Sequence, residues 1–169
     1  MPIRETKDRH SGIPEFRISQ DGQEVQSEKV KAVVKMREPR SIREVQSFLG
    51  MANYYRKFIQ NFAQIVRPLY DLTKKENEWK WTKEQQKAFE KVKSVLTNAP
   101  ILAHPDFSKT FILETDASNF QIGAVLLQEE SDGKEHVIAY ASRSLLPAEK
   151  NYSVIERETL ALVWAMTKK

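Results

Sequence analysis

Along the first hundred residues the apolar positions fall at helical spacing; after Pro105 they gather into strand-length runs. Glu15 to Val25 reads as a short hairpin, with Phe16 and Ile18 before a turn at Asp21-Gly22 and Val25 after it. Ser27 to Met36 places Val30, Val33 and Val34 in helical register and stops before Pro39. Ser41-Ile42-Arg43-Glu44 is a capping box. The helix it opens carries Val45, Phe48, Leu49 and Ala52 on one face and runs to about Ile59. Phe62 to Leu72 is a second helix, kinked or broken at Pro68. A further box, Thr82-Lys83-Glu84-Gln85, starts a helix with Ala88, Phe89, Val92, Val95 and Leu96 in register, ended by Asn98 and Pro100.

The later runs predict three strands, Thr110 to Thr115, Ile122 to Gln128 and His136 to Ser142, with turn chemistry at Ser131-Asp132-Gly133-Lys134. A helix follows from Ser153 to Thr167, and its apolar residues surround nearly the whole circumference, which predicts burial on more than one side. Short links between the strands predict an antiparallel meander crossed by that helix. The fold class is therefore α/β, more narrowly α+β: a helical segment over residues 15–105 and a sheet-and-helix part over residues 106–169, behind a flexible lead-in at residues 1–14. Because the chain stops after one crossing helix, the second part reads as incomplete.

Composition narrows the classes. There is no cysteine, which excludes a disulfide scaffold and a cysteine-based zinc site. No apolar run reaches the roughly 20 residues of a membrane helix, and the charged start is unlike a signal peptide. The net charge of +4 divides into +7 over residues 1–105 and −3 over residues 106–169. A basic first part suits phosphate backbones, and an acidic second part suits a cation site; ordinary surface scatter explains the same imbalance.

Two carboxylates draw attention. Asp116 sits where the first long strand runs out, and Glu158 lies on the last helix, one turn from Val154 and Leu162. If the helix crosses the sheet, the two approach each other, and a divalent cation between them removes their repulsion. Oxygen ligation favours Mg²⁺ or Mn²⁺, and a pair of such ions suits phosphodiester cleavage. The competing reading makes Asp116 a turn cap and Glu158 an ion-pair partner. Glu114 and Glu156 lie close by, and spacing alone does not rank them. Asn53-Tyr54-Tyr55-Arg56-Lys57 is an aromatic and basic patch suited to a nucleic-acid backbone, with core packing as the alternative for its rings. Ser118, Asn119 and Arg143 are further candidates for sugar or phosphate contact, against turn capping and a surface ion pair. Gly123, inside a strand, marks a close approach by metal, nucleic acid or a neighbouring side chain.

The strings Phe111-Ile112-Leu113-Glu114-Thr115-Asp116-Ala117-Ser118, Ile122-Gly123-Ala124-Val125-Leu126, Ile138-Ala139-Tyr140-Ala141-Ser142-Arg143 and Glu156-Arg157-Glu158-Thr159-Leu160-Ala161 resemble the opening of the ribonuclease H domain in gypsy-type LTR retrotransposon polyproteins. Upstream, Phe48-Leu49-Gly50 with Asn53-Tyr54-Tyr55-Arg56-Lys57-Phe58-Ile59 is similar to the reverse transcriptase thumb of the same polyproteins, and Pro68-Leu69, Trp81-Thr82 and Ala99-Pro100-Ile101-Leu102 follow in the same order.

The resemblance implies that residues 15–105 are the reverse transcriptase hairpin and thumb or connection, and that residues 106–169 are the first part of a ribonuclease H-like domain. It implies Asp116 and Glu158, rather than Glu156, as metal-binding catalytic carboxylates, with Mg²⁺ or Mn²⁺ in the complete domain. The implied partners are RNA/DNA hybrid or primer-template, a palm upstream, and the rest of ribonuclease H and integrase downstream. The implied setting is intracellular, cytoplasmic or nuclear, and particle-associated for an active element. The palm aspartates and later ribonuclease H aspartates of that family are not in this sequence, so the chain alone is expected to be nearly inactive. A non-catalytic binding or interaction module is the competing function. Phosphate transfer from a nucleotide ranks last, since no glycine-rich phosphate loop is present.

Overall fold

The computed structural model describes residues 16–130 and 133–168, so the lead-in at 1–14 and part of the turn at 131–134 lie outside the described residues. A hairpin of β1 (Phe16–Ser19) and β2 (Gly22–Val25) is followed by α1 (Ser27–Val34), α2 (Ile42–Tyr54), a 3₁₀ turn (Arg56–Phe58), α3 (Phe62–Asp71) and α4 (Lys83–Thr97). Then come β3 (Phe111–Ala117), β4 (Gln121–Glu129), β5 (Glu135–Ser144), a second 3₁₀ turn (Glu149–Asn151) and α5 (Val154–Thr167).

The helices form where capping and periodicity agree. Thr82 and Gln85 close a full capping box on α4, and Ser153 and Glu156 close one on α5. At α2 the Ser41 hydroxyl accepts from the Glu44 amide, but Glu44 reaches past Ser41 to the Arg40 amide at 2.7 Å. Of the kink or break expected at Pro68, the break does not occur: α3 runs through it. A proline there removes one backbone donor, and Phe62, Val66 and Leu69, all buried, hold the helix through that loss. The main core joins α1 through α4 and draws in Val137 and Tyr140 of β5.

β3, β4 and β5 form an antiparallel sheet in sequence order, as the meander reading expects. β3 extends past Thr115 through Asp116 to Ala117, so Asp116 lies within the strand. Cross-strand partners share a face. Asp116, Gly123 and Ser142 are partners in register, and so are Ala117, Ile122 and Arg143 on the other face. α3 packs against β5 on the first face; α5 packs on β3 and β4 through a small cluster of Ile122, Leu145 and Ala161 on the second.

α5 departs from the sequence-based expectation. Only Ala161 is buried, while Ile155 and Met166 are 79% and 64% exposed and Val154, Leu162 and Val163 also face outward. The sheet covers one stripe, Ala161 with Leu160 and Trp164, and no described element covers the other. The stripe that faces the sheet is thus not the Val154–Glu158–Leu162 line read from the sequence.

The hairpin docks edge-on: Gln23 and Leu102 exchange backbone hydrogen bonds of 2.7 and 2.8 Å. Gly22 has φ of +139°, and a Cβ there would meet the Leu102 carbonyl oxygen at 2.1 Å, so only glycine fits.

Candidate functional site

Asp116 opens onto a small cleft lined by Gln60, Asn61, Glu114, Thr115, Gly123, Ala124 and Val125. Its floor is set by Gly123, where a Cβ would stand 3.1 Å from Asn61 Oδ1. Of the roles open to this strand glycine, admitting a neighbouring side chain is the one the structure displays. Glu114, two residues back on the same face, shares the cleft.

Glu158 is exposed on the flank of α5 and is not among the residues lining that cleft. The expectation that a crossing helix brings Glu158 to Asp116 does not follow from these faces, because α5 packs on the Ile122 face and Asp116 lies on the Gly123 face. Neither carboxylate is taken up in a hydrogen bond or ion pair among the described residues, so neither the turn-cap reading of Asp116 nor the ion-pair reading of Glu158 is seen. Glu156, by contrast, is occupied. It accepts from the Ser153 amide at 2.7 Å, and that bond, with the Ser153 hydroxyl, holds its carboxyl below the usual range. Carboxylate oxygens suit Mg²⁺ or Mn²⁺, yet among the described residues no three His, Cys, Asp or Glu cluster closely enough to hold an ion. The described donors alone do not complete a metal site.

The basic and aromatic candidates divide. Tyr55 is 4% exposed and belongs to the core, which removes its ring from base stacking. Tyr54 faces outward at 39% exposure, edge-on to Tyr55. Arg56 is exposed. Its charge reaches Lys168 at the end of α5, whose amine is lowered first by burial and then by Arg56. Lys57 turns inward, its Nζ donating to Gln23 Oε1 at 2.7 Å, and burial lowers its pKa. Ser118 caps the β3–β4 turn by accepting from the amides of Phe120 and Gln121. Asn119 accepts from the Arg157 guanidinium, tying that turn to α5. Arg143 makes a two-pronged pair with Glu149 at 2.7 and 2.9 Å, so the phosphate contact expected of it gives way to an ion pair.

Sequence reasoning missed three residues at the helix–sheet junction: Asn61, Gln121 and Ser142. The signal available for them was Gly123, which announces a close neighbour without naming it.

Residues 81–169 match the profile of the RNase H-like domain found in reverse transcriptase. The chain belongs to this family. Over 148 residues it is 41% identical to the Transposon Tf2-3 and Tf2-4 polyproteins of Schizosaccharomyces pombe, a match covering 88% of this chain and 11% of each polyprotein. The chain thus spans about a tenth of the length of these curated relatives. A foamy viral protease-reverse transcriptase (dRH) in complex with double-stranded DNA superposes with a TM-score of 0.78 at 30% identity, covering 91% of this chain and 27% of that one. A foamy viral protease-reverse transcriptase in complex with RNA/DNA hybrid gives 0.76 at 30% identity, over 91% and 21%. The gypsy-type retrotransposon resemblance and the mixed helix-and-sheet class agree with these findings. This member of the RNase H-like reverse transcriptase family has, among its described residues, no helix long and apolar enough to cross a membrane.

Proposed function

We propose that this chain works within a retroelement reverse transcriptase/ribonuclease H, where it holds RNA/DNA hybrid or primer-template. The observation that carries this reading is the basic patch that follows α2, where Arg56 is exposed two residues from the exposed Tyr54 and its charge also acts on Lys168 at the end of α5. An exposed guanidinium of this kind suits a phosphate of a nucleic-acid backbone. The superposed foamy viral enzyme that holds RNA/DNA hybrid supports the same partner. Tyr54, exposed beside the patch, supplies an aromatic edge for a sugar or base.

The finer reading is that the parent polyprotein hydrolyses the RNA strand with Mg²⁺ or Mn²⁺ and supports RNA-directed DNA synthesis, Asp116 and Glu158 being this chain's carboxylates for the hydrolysis. Both are exposed, and neither carboxyl group is engaged by another described residue, which leaves their oxygens open to an ion. Further ligands come from the rest of the polyprotein, of which this chain spans about a tenth. The other domains of the polyprotein are its immediate partners, and the setting is intracellular. A non-catalytic module is the second reading, favoured by the different layers that Asp116 and Glu158 occupy.

The experiment uses the parent polyprotein on a labelled RNA/DNA hybrid with Mg²⁺. Asp116→Asn and Glu158→Gln are each expected to lower RNA cleavage by at least a hundredfold with hybrid affinity preserved. Undiminished cleavage in both variants would overturn the hydrolytic assignment and leave the binding module. Absence of hybrid binding by the wild-type chain at low salt would overturn the binding role.

A further inference from the structure

The first turn of α3 is capped from another part of the fold. The amide of Ala63 donates to the Ser142 hydroxyl at 3.0 Å, and the amide of Gln64 to Gln121 Oε1 at 2.8 Å, sharing that donor with the Asn61 carbonyl. These are among the amides that a helix leaves without internal partners. The residue in the capping position, Asn61, makes no side-chain cap of its own. Its backbone is left-handed, with φ of 55° and ψ of 32°, a conformation asparagine tolerates better than most residues. In that pose its Oδ1 accepts from Gln121 Nε2 at 2.9 Å and lies against Gly123.

Gln121 is 2% exposed and satisfies both ends of its amide across this junction, with a longer contact from Nε2 to Gln64 Oε1 at 3.4 Å. A buried amide of this kind is costly to leave unpaired, so its partners are held firmly. Gly123 leaves the room this arrangement uses, because a Cβ there would stand 3.1 Å from Asn61 Oδ1 and Asn61 would have to give by a few tenths of an ångström. Asn61 and Gly123 also line the Asp116 cleft.

We propose that Gln121, with Asn61, Ser142 and Gly123, forms a lock that fixes the helical unit on the sheet and so sets the distance between Arg56 and Asp116. Gln121 is a positioning residue in this scheme: it touches neither metal nor hybrid and acts through the seating of α3. The consequence for hybrid placement rests on the proposed function above, whereas the lock itself is a property of the free chain.

The chain has no cysteine, so paired spin labels can be placed at Lys87→Cys on α4 and Glu129→Cys on β4, both exposed. The measurement is the inter-label distance distribution of the whole chain without nucleic acid, with amide exchange at Ala63 and Gln64 alongside. The unmodified lock is expected to give one narrow distribution. Gln121→Leu combined with Ser142→Ala is expected to broaden or shift it with helix content unchanged, and to speed exchange at both amides by about tenfold, the equivalent of one lost hydrogen bond.

Gln128→Leu is the control. Gln128 is equally buried on the same strand, but it bonds the Asp106 loop at 2.7 and 2.9 Å. It is expected to lower stability without moving the distribution. Should the double variant not fold, Ser142→Ala alone still removes the Ala63 acceptor and is expected to broaden the distribution to a smaller degree. An unchanged distribution in a folded lock variant, or equal broadening in Gln128→Leu, overturns the proposal. Both results are read without hybrid, so they stand apart from any failure of nucleic-acid binding.

Discussion

Arg143 and Glu149 show how a charged residue near a sheet edge is diverted from ligand to scaffold. The carboxylate is buried, takes both prongs of the guanidinium, and also accepts from the Leu146 amide at 2.7 Å. The Arg143 guanidinium holds the Glu149 carboxyl below its ordinary value of 4.5, with the Leu146 amide adding to the effect against the opposing pull of burial. A carboxylate depressed on folding contributes stability that is full above the unfolded value and is lost as pH falls through the folded one. Thermal melts are therefore expected to fall as pH drops below about 4.5, and Glu149→Gln is expected to flatten that fall. At neutral pH, Arg143→Ala is expected to cost about 2 kcal/mol of unfolding free energy, because a buried carboxylate loses its charged donor. Its hybrid affinity is expected to stay near wild type, since both prongs of the guanidinium are taken up by Glu149.

Helix starts are local devices, and they were legible in the sequence: Thr82 and Ser153 cap α4 and α5 with partners three residues away. Thr82→Ala is accordingly expected to cost about 1 kcal/mol in denaturant unfolding. Which face of α5 is covered was not legible, because apolar residues all round the helix carry no direction and only the Ile122 cluster decides it. Two substitutions on that helix separate the faces. Ala161→Leu is expected to cost roughly 1–3 kcal/mol by overpacking against the sheet. Leu162→Gln, on the outward side, is expected to stay within about 0.5 kcal/mol of wild type. Equal losses in chemical denaturation would mean that the outward face of α5 is covered in solution.

Across the whole molecule, the meander and the helical unit followed from periodicity, but the joint between them did not. Gln64 meets Gln121 across 57 positions and Ala63 meets Ser142 across 79, distances over which no sequence pattern pairs a donor with its acceptor. The same limit applies to Asp116 and Glu158, whose types were readable and whose layers were not. Charge behaves likewise, since Arg56 and Lys57 are adjacent in sequence yet do different work, one outward beside Lys168 and one bonded to the hairpin.

Binding of RNA/DNA hybrid by counterion release makes that difference measurable, because each phosphate neutralised adds about one to the slope of log affinity against log salt. Arg56→Ala and Lys168→Ala are each expected to reduce that slope by about one in fluorescence anisotropy titrations. Lys57→Ala is expected to leave the slope intact while loosening the β1–β2 hairpin, seen as faster amide exchange at Gln23. A slope that drops for Lys57→Ala and not for Arg56→Ala would place the hybrid on the hairpin side of the fold instead. The inward hydrogen bond of Lys57 would then have to break on binding, and its ammonium, already disfavoured by burial, would regain charge stability only by moving out to the phosphate.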